Sequence, residues 1–489
     1  MIIDSLLQST YDRLTSKGVS QKSTWAGRKL WEEHLIDIRK DAYTVYLDVL
    51  PDIQIGRSFD ENKTLWSNNW GGQIGATLGE KLSFYATFTR KNIVFTDYVN
   101  QYIDEHHVIP GQQKVIDIVK PDGQYAWNDA SAGVSYTANK YLNISLAYDK
   151  NFIGDGYRSL LLSDVSANYT ALKLTGTLGN VQYISMWTYM RDPFASQAPN
   201  YNSDGLLQSY VNSHKWGVFQ YLDWNVDNRL SVGFFQSILW APNQESGKRG
   251  IDFNYINPLI FLRAVELTNT ASPDKVHLGL NIRHKTLKTL SIYGQFLLSE
   301  LTAKELFTGN GYIHNKFAVQ LGVRGYDLFN VPRLNYLAEF NTARPYTYQH
   351  FTPITAYTNY NQPLAHMLGA NFREGIAILN YGYRRFDFQL QTNWAMYGLD
   401  PDESTNYGGN IFKSYLNQVK VYGNTIGQGI NTHLFYGNIT ASYLINPKYN
   451  LRLELNAANR KEWNEHIHSN TRWINIGIRS SFRKIYSDF

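Results

Sequence analysis

The chain has 489 residues, a formal net charge of +5, aromatic residues at 15% and no cysteine. That length allows two or three ordinary domains or one large closed sheet. Without thiols there is no disulfide framework or thiolate metal site; the evenly spread charge gives no basic block for nucleic acid, and no run of about 18 apolar residues offers a transmembrane helix.

The 36 Tyr and 12 Trp suit a lipid–water boundary, since each side chain has an apolar body and a polar tip. Residues 1–24 are polar. Met1–Thr10 (MIIDSLLQST) has no charged segment followed by an apolar run, so no export signal is visible there. An exported protein would need a start that is truncated, miscalled or already processed. Gly27–Lys40 (GRKLWEEHLIDIRK) reads as a helix, with Leu30, Trp31, Leu35 and Ile38 grouped on one side. Ala42–Leu50 reads as a first strand.

From Trp70 onward one device repeats: a strand, a short polar turn, and a second alternating strand. Gly79-Glu80-Lys81 leads into Leu82, Phe84, Ala86 and Phe88. Thr137–Lys140 leads into Leu142, Ile144, Leu146 and Tyr148, with Asn143, Ser145 and Asp149 opposite. Val226–Asn228 leads into Leu230, Val232 and Phe234, and His284–Leu287 into Leu290, Ile292 and Phe296. The clearest copy is Arg385–Ala395 (RFDFQLQTNWA), where Phe386, Phe388, Leu390 and Trp394 share one face and Arg385, Asp387, Gln389, Gln391 and Asn393 the other. It runs about ten residues, enough for a tilted strand to cross hydrocarbon. Asn446–Lys448 leads into Leu451, Leu453 and Leu455, with Arg452, Glu454 and Asn456 between. Trp473–Phe482 closes the series, and Phe489 supplies the terminal aromatic common in outer-membrane assembly.

Longer aromatic and polar connections fall at 51–69, 91–130, 150–164, 190–213, 241–275, 299–315, 342–372, 397–432 and 460–471, alternating with the tight turns. Alternation of this kind places all short turns at one rim of an up-and-down barrel and all long loops at the other. Glu339, Arg385, Asp387, Arg452, Glu454 and Arg479 lie opposite the apolar series. A closed barrel turns such charges into a wet lumen and leaves no sheet edge, whereas a soluble sandwich of this size would need edge protection. The expected fold is all-β: a closed antiparallel transmembrane barrel of about 18 strands with long extracellular loops.

Asn151–Asp164 (NFIGDGYRSLLLSD) and Ala343–Asn371 (ARPYTYQHFTPITAYTNYNQPLAHMLGAN) carry a resemblance to the Wzi-like capsule-assembly family, in particular its Bacteroidetes branch of gliding-motility RemB proteins. Tyr98-Val99-Asn100, Val108–Gly111, Tyr255–Pro258 with Phe261, Tyr293–Phe296 and Arg479–Phe489 add to it, and the likeness runs from about residue 29 to the end. The resemblance implies an 18-stranded outer-membrane barrel with a helical element near the periplasmic mouth, acting in polysaccharide attachment or surface adhesion. Residues 1–40 then form an N-terminal segment bearing that helix, and 41–489 the barrel. Implied partners are surface or capsular polysaccharide, membrane lipid, and gliding or secretion machinery, with no cofactor; a closed barrel of this size is itself expected to be a monomer.

By strand parity, 150–164 and 342–372 share a rim. Asp155, Tyr157, Arg158, Ser163 and Asp164 can therefore meet Arg344, Tyr346, Tyr348, His350, Asn361, Gln362 and His366. Tyr rings stacking on sugar faces, with Arg forks on uronate carboxylates, is the chemistry a polysaccharide requires. The same residues suit somewhat better two loops knitted into a plug, with Asp and Arg satisfying each other and glycines making the turns. Gly154-Asp155-Gly156 is too short for a phosphate loop. His466 with His468, and His106-His107 beside Asp104 and Glu105, lack a third metal ligand at diagnostic spacing. Neither G-x-S-x-G nor H-E-x-x-H is present. The sequence thus favours a binding and anchoring barrel over an enzyme, with a porin-like channel as the alternative.

Overall fold

A computed structural model describes residues 22–112, 123–192, 214–244, 247–248, 255, 274–306, 308–480 and 485–489. Helix α1 (Trp25–Trp31) and a short strand β1 (Ile36–Lys40) precede the wall. The wall is β2 (Tyr43–Ser58), β3 (Lys63–Leu78), β4 (Leu82–Val94), β5 (Gln124–Asn139), β6 (Leu142–Asp149), β7 (Tyr169–Leu178), β8 (Val181–Arg191), β9 (His214–Asn225), β10 (Leu230–Trp240), β11 (Lys275–His284), β12 (Leu290–Glu300), β13 (Lys316–Gly325), β14 (Leu334–Ala343), β15 (Phe372–Tyr383), β16 (Phe386–Leu399), β17 (Ile430–Asn446), β18 (Leu451–Trp463) and β19 (His468–Arg479). Each pairs antiparallel with the next, and β19 returns to β2 from Ile53↔Ile478 to Ser58↔Trp473, closing a barrel of 18 strands.

Alternation sets the two faces. Phe386, Leu390 and Leu453 stand exposed on the outer wall. Asp52, Glu454 and Arg479 point inward, where Arg479 reaches Asp52 at 3.0 Å and Glu454 at 2.7 Å. An apolar outside, with the charged side chains turned inward and no open sheet edge, makes this a membrane-spanning barrel with the fold of outer-membrane proteins. The connections 95–123 (holding helix α2, Asp97–His106), 150–168, 192–213, 241–274, 301–315, 344–371 and 400–429 all leave one rim. Short turns join the strands at the other.

Several expectations need correction. The helix expected at 27–40 stops at Trp31, and Ile36–Lys40 is a strand paired with β2 from Ile36↔Leu47 to Lys40↔Tyr43. The physical reason is an open edge: β19 pairs with β2 only from Ile53, so β1 takes up the rows below. Between them Pro51, which has no N–H to offer, occupies the unpaired stretch. The α1 helix lies at the short-turn rim, where Asn446 Nδ2 donates to the carbonyls of Lys29 and Glu33 at 2.8 and 2.9 Å. The expected long connections 51–69 and 460–471 are strands joined by tight turns at 59–62 and 464–467. Their polar residues read as loop, yet Asp52, Asn69 and Arg460 face the lumen. The last strand ends at Arg479, and Phe489 packs inside the barrel against Tyr102, with ring centroids 4.8 Å apart. Of the Tyr255–Pro258 motif only Tyr255 is among the described residues; it lies on the outer wall, 5.0 Å from the Trp240 ring.

Candidate functional site

Two loops from the long-loop rim descend into the lumen together. In 150–168, the run Leu160-Leu161-Leu162 is fully buried against inward-facing Phe219, Phe235, Leu297 and Phe372 and against Tyr348 and Tyr357 of the 344–371 loop. The phenols anchor the polar backbone left in this apolar setting. Tyr348 Oη donates to the Leu160 carbonyl at 2.9 Å and Tyr357 Oη to that of Leu161 at 2.5 Å. Ser163 N–H donates to the Leu364 carbonyl at 2.8 Å, joining the loops directly.

The pair is pinned by charge. Arg158, 1% exposed, places its guanidinium 3.2 Å from Glu374 on β15 and 3.3 Å from Asp488 of the tail. Glu339 on β14 accepts the N–H groups of Tyr157 and Arg158 at 2.8 and 3.0 Å and the Tyr293 hydroxyl at 2.7 Å. His366 Nε2 lies 2.6 Å from Glu374, while its Nδ1 accepts from the Leu368 N–H, so the proton sits on Nε2. Tyr157 Oη and Gln391 Nε2 donate to Asp488 at 2.7 and 2.8 Å. The tail 485–489 thus enters the lumen and meets the loops.

The structure therefore brings Tyr157, Arg158 and Asp164 together with Tyr348 and His366, but within the lumen, bonded to the wall, the tail and each other, with Arg158 Nε left buried without a partner among the described residues. Asp164 accepts from Tyr486 of the tail. Asp155 reaches further still, to Arg283 and Arg324 near the short-turn ends of β11 and β13. The other candidates face elsewhere. Tyr346 Oη donates to the Asn406 carbonyl at 2.8 Å, and burial pushes its phenol up to about 12. His350 lies 2.6 Å from Thr355, and burial, reinforced by Lys275, lowers its imidazole to about 3. Asn361 donates to the His106 carbonyl at 2.8 Å, and Gln362 to that of Gln112 at 2.6 Å. Arg344 stacks over Phe317 at 5.5 Å, and burial lowers its guanidinium. His466 pairs with neighbouring Glu465 at 3.3 Å, and among the described residues no three His, Asp or Glu are grouped to hold a metal.

Above the plug, 301–315, 344–371 and 400–429 build an aromatic shelf that sequence reasoning did not single out. Ile313 N–H donates to the Val421 carbonyl at 2.9 Å and Ser414 Oγ to that of Phe351 at 2.7 Å, lacing the three loops. Tyr312 and Tyr422 lie 5.1 Å apart, and Phe351 meets Tyr415 edge-on at 6.4 Å. Beneath Tyr415, Lys316 Nζ sits 3.4 Å from the ring centroid, beside Glu300, which also holds Lys275 at 2.7 Å. Tyr422, Leu416 and Val421 remain exposed. Glu374, Arg283 and Arg324 were also missed, though strand parity alone turns them inward; Asp488 lay within the Arg479–Phe489 stretch with no sign of its partners.

The plug does not fill the whole lumen. On the β16–β4 side a hollow of about 460 Å³ is lined by Asn438, Asn456, Asn475, Gln389, Arg452 and Arg479, among others.

No family model and no curated protein matches the chain. Solved structures do. Wzi of Escherichia coli, described as a carbohydrate-binding β-barrel involved in group 1 capsule assembly, aligns with a TM-score of 0.52 at 13% identity, covering 89% of this chain and 84% of its own. OpdK of Pseudomonas aeruginosa aligns with a TM-score of 0.48 at 9% identity over 90% of this chain and 98% of its own. OprD of the same organism gives 0.45 at 8% identity over 90% and 96%. At these identities the likeness to Wzi is one of fold.

Proposed function

We propose that this barrel holds surface polysaccharide at its extracellular face, as a capsule-attachment protein rather than an enzyme. The observation that carries the reading is the coupling of a lumen occupied by two interlocked loops to an aromatic shelf directly above them. Clustered, partly exposed rings with flanking amides and hydroxyls match the alternating apolar and hydroxylated faces of sugars. The fold shared with Wzi supports the same reading, since that protein is described as carbohydrate binding. Within the plug, Asp155, Tyr157, Arg158, Asp164, Tyr348 and His366 act as the frame. Arg344, Tyr346, His350, Asn361 and Gln362 brace the surrounding loops, and the shelf makes the sugar contact. In a gliding organism of the RemB kind the same surface serves adhesion.

A clean gene deletion tests this, scored for cell-associated against shed polysaccharide with spreading motility alongside. Polysaccharide lost to the medium is the expected result; an unchanged distribution overturns the reading. A porin-like role is separated by planar-bilayer conductance, where steady open-channel current from the purified wild type speaks for transport and a silent barrel for anchoring.

A further inference from the structure

The tip of the 150–168 loop reaches the short-turn ends of β11 and β13 to place one carboxylate. Asp155 Oδ1 accepts from Arg283 at 2.8 Å and from Arg324 at 3.0 Å, and its Oδ2 accepts from Asn281 at 2.8 Å. Arg324 also donates to the Asp155 carbonyl at 2.6 Å. Two guanidinium groups and an amide around a single carboxylate are the donor set of an anion site, and the site holds one cation in excess. Among the described residues, no other carboxylate lies within ion-pair distance of either arginine.

The flanking glycines show that the chain is shaped for this insertion. A side chain at Gly154 would come within 2.2 Å of Gln295, and one at Gly156 within 2.3 Å of Glu339. The G-D-G motif is the width of chain that fits beside the wall. The arginines are also reachable from the other direction. Their side chains keep 28% and 41% exposure, and Arg324 borders a pocket of about 480 Å³ shared with Ser291, Asn335 and Asn380. These inward positions lie near the short-turn ends of their strands, so the pocket opens below the plug.

We infer that Arg283, Arg324 and Asn281 form a carboxylate-binding site facing the short-turn mouth, and that Asp155 is its built-in occupant. A sugar carboxylate entering from that mouth competes for the arginines and frees the tip of the plug. The inference leans on the polysaccharide reading only for the source of that carboxylate. Its test uses a monosaccharide on purified barrel, so an unchanged capsule in the deletion strain would leave it standing.

The test is calorimetric titration of the detergent-solubilised barrel with glucuronate, with glucose and inorganic phosphate as controls. Heat-modifiable gel mobility confirms that each variant is closed. The wild type should bind glucuronate weakly, and Asp155→Ala, with its site vacated, at least about tenfold more tightly, or about 1.4 kcal/mol. Adding Arg324→Gln should abolish the gain. If Asp155→Ala does not close, Asp155→Asn keeps the side-chain shape without the charge and carries the same expectation. Glucuronate binding no tighter than in the wild type, or matched by glucose, overturns the site; an equal gain for phosphate overturns the carboxylate assignment.

Discussion

On the β7–β15 side of the lumen, inward positions carry Met186, Phe219, Phe235, Leu297 and Phe372. On the β16–β4 side they carry Gln389, Asn438, Asn456, Asn475 and Arg452. The wall is the same antiparallel sheet throughout, and its outer face is apolar on both sides. What differs is the medium that the inner face meets. The first half faces protein, because the 150–168 and 344–371 loops pack there; the second meets α2 and the tail at Leu65, Tyr436 and Trp473 toward the long-loop rim, and a hollow below them. A charge in the first half has its partners fixed by packing. A charge in the second, such as Arg479 at 28% side-chain exposure, can fall back on water.

The largest expected effect follows directly. Arg158→Ala leaves Glu374 and Asp488 facing each other in a site closed to water, which should cost about 3–5 kcal/mol, as breaking a buried pair does. Arg479→Ala removes two ion pairs, to Asp52 and Glu454, beside the hollow, where water and Arg452 stand in, and should cost about 1 kcal/mol or less. Thermal unfolding followed by heat-modifiable gel mobility measures both. Equal losses would erase the distinction between the two halves. Next in size is Leu161→Ala, which opens a cavity in the plug core and should cost roughly 2–5 kcal/mol. Leu453→Ala on the lipid-facing wall, where the side chain is 46% exposed, should cost far less.

The same contrast explains what could be read from the sequence. Alternation is cleanest in Phe386–Trp394, where lipid lies on one face and a wet lumen on the other. In β9 and β10 it fades: Trp216, Val218 and Leu222 face out while Phe219 and Tyr221 face in. A strand covered on both faces, here by the plug inside and by Tyr255 outside, is apolar on both, so its run of apolar residues signals a filled lumen. The meeting of the two long loops was legible from strand parity. Their depth was not, because polar loop residues look alike at a surface and in a plug. Nor were the partners of Arg158, which lie 216 residues away at Glu374 and 330 away at Asp488. Residues 51–69 and 460–471 were misread for the complementary reason, since lumen-facing polar side chains imitate a loop.

Acidification should distinguish the halves by a smaller margin. His350 in the plug loop is lowered to about 3 by burial and Lys275, and His106 in α2 to about 4 by burial and His107. Both rings are held neutral when folded, whereas a released loop would protonate near 6.5. Their stabilisation is therefore complete above pH 6.5 and is lost as pH falls toward the folded values, by at most about 1.4 kcal/mol per pH unit for each ring. Hydrogen exchange at pH 7.5 and pH 5 should show faster opening of 344–371 at the lower pH and little change in β18. Equal protection at both values would mean that the plug opens without exposing these histidines.

The smallest effect on the fold should come from the shelf. Tyr422 is 51% exposed and its ring leans on Tyr312, so Tyr422→Ala should leave barrel closure and thermal stability within about 0.5 kcal/mol of wild type. If sugars stack there, the lost ring face removes about 0.5–1.5 kcal/mol of contact, a roughly two- to tenfold weaker hold. Binding of extracted polysaccharide to purified barrel reads that directly. Weakened binding with an unchanged melting curve assigns recognition to the loops above the plug. Unchanged binding in Tyr422→Ala, with loss in Arg158→Ala, would move recognition down into the plug itself and make the shelf a lid over the true contact.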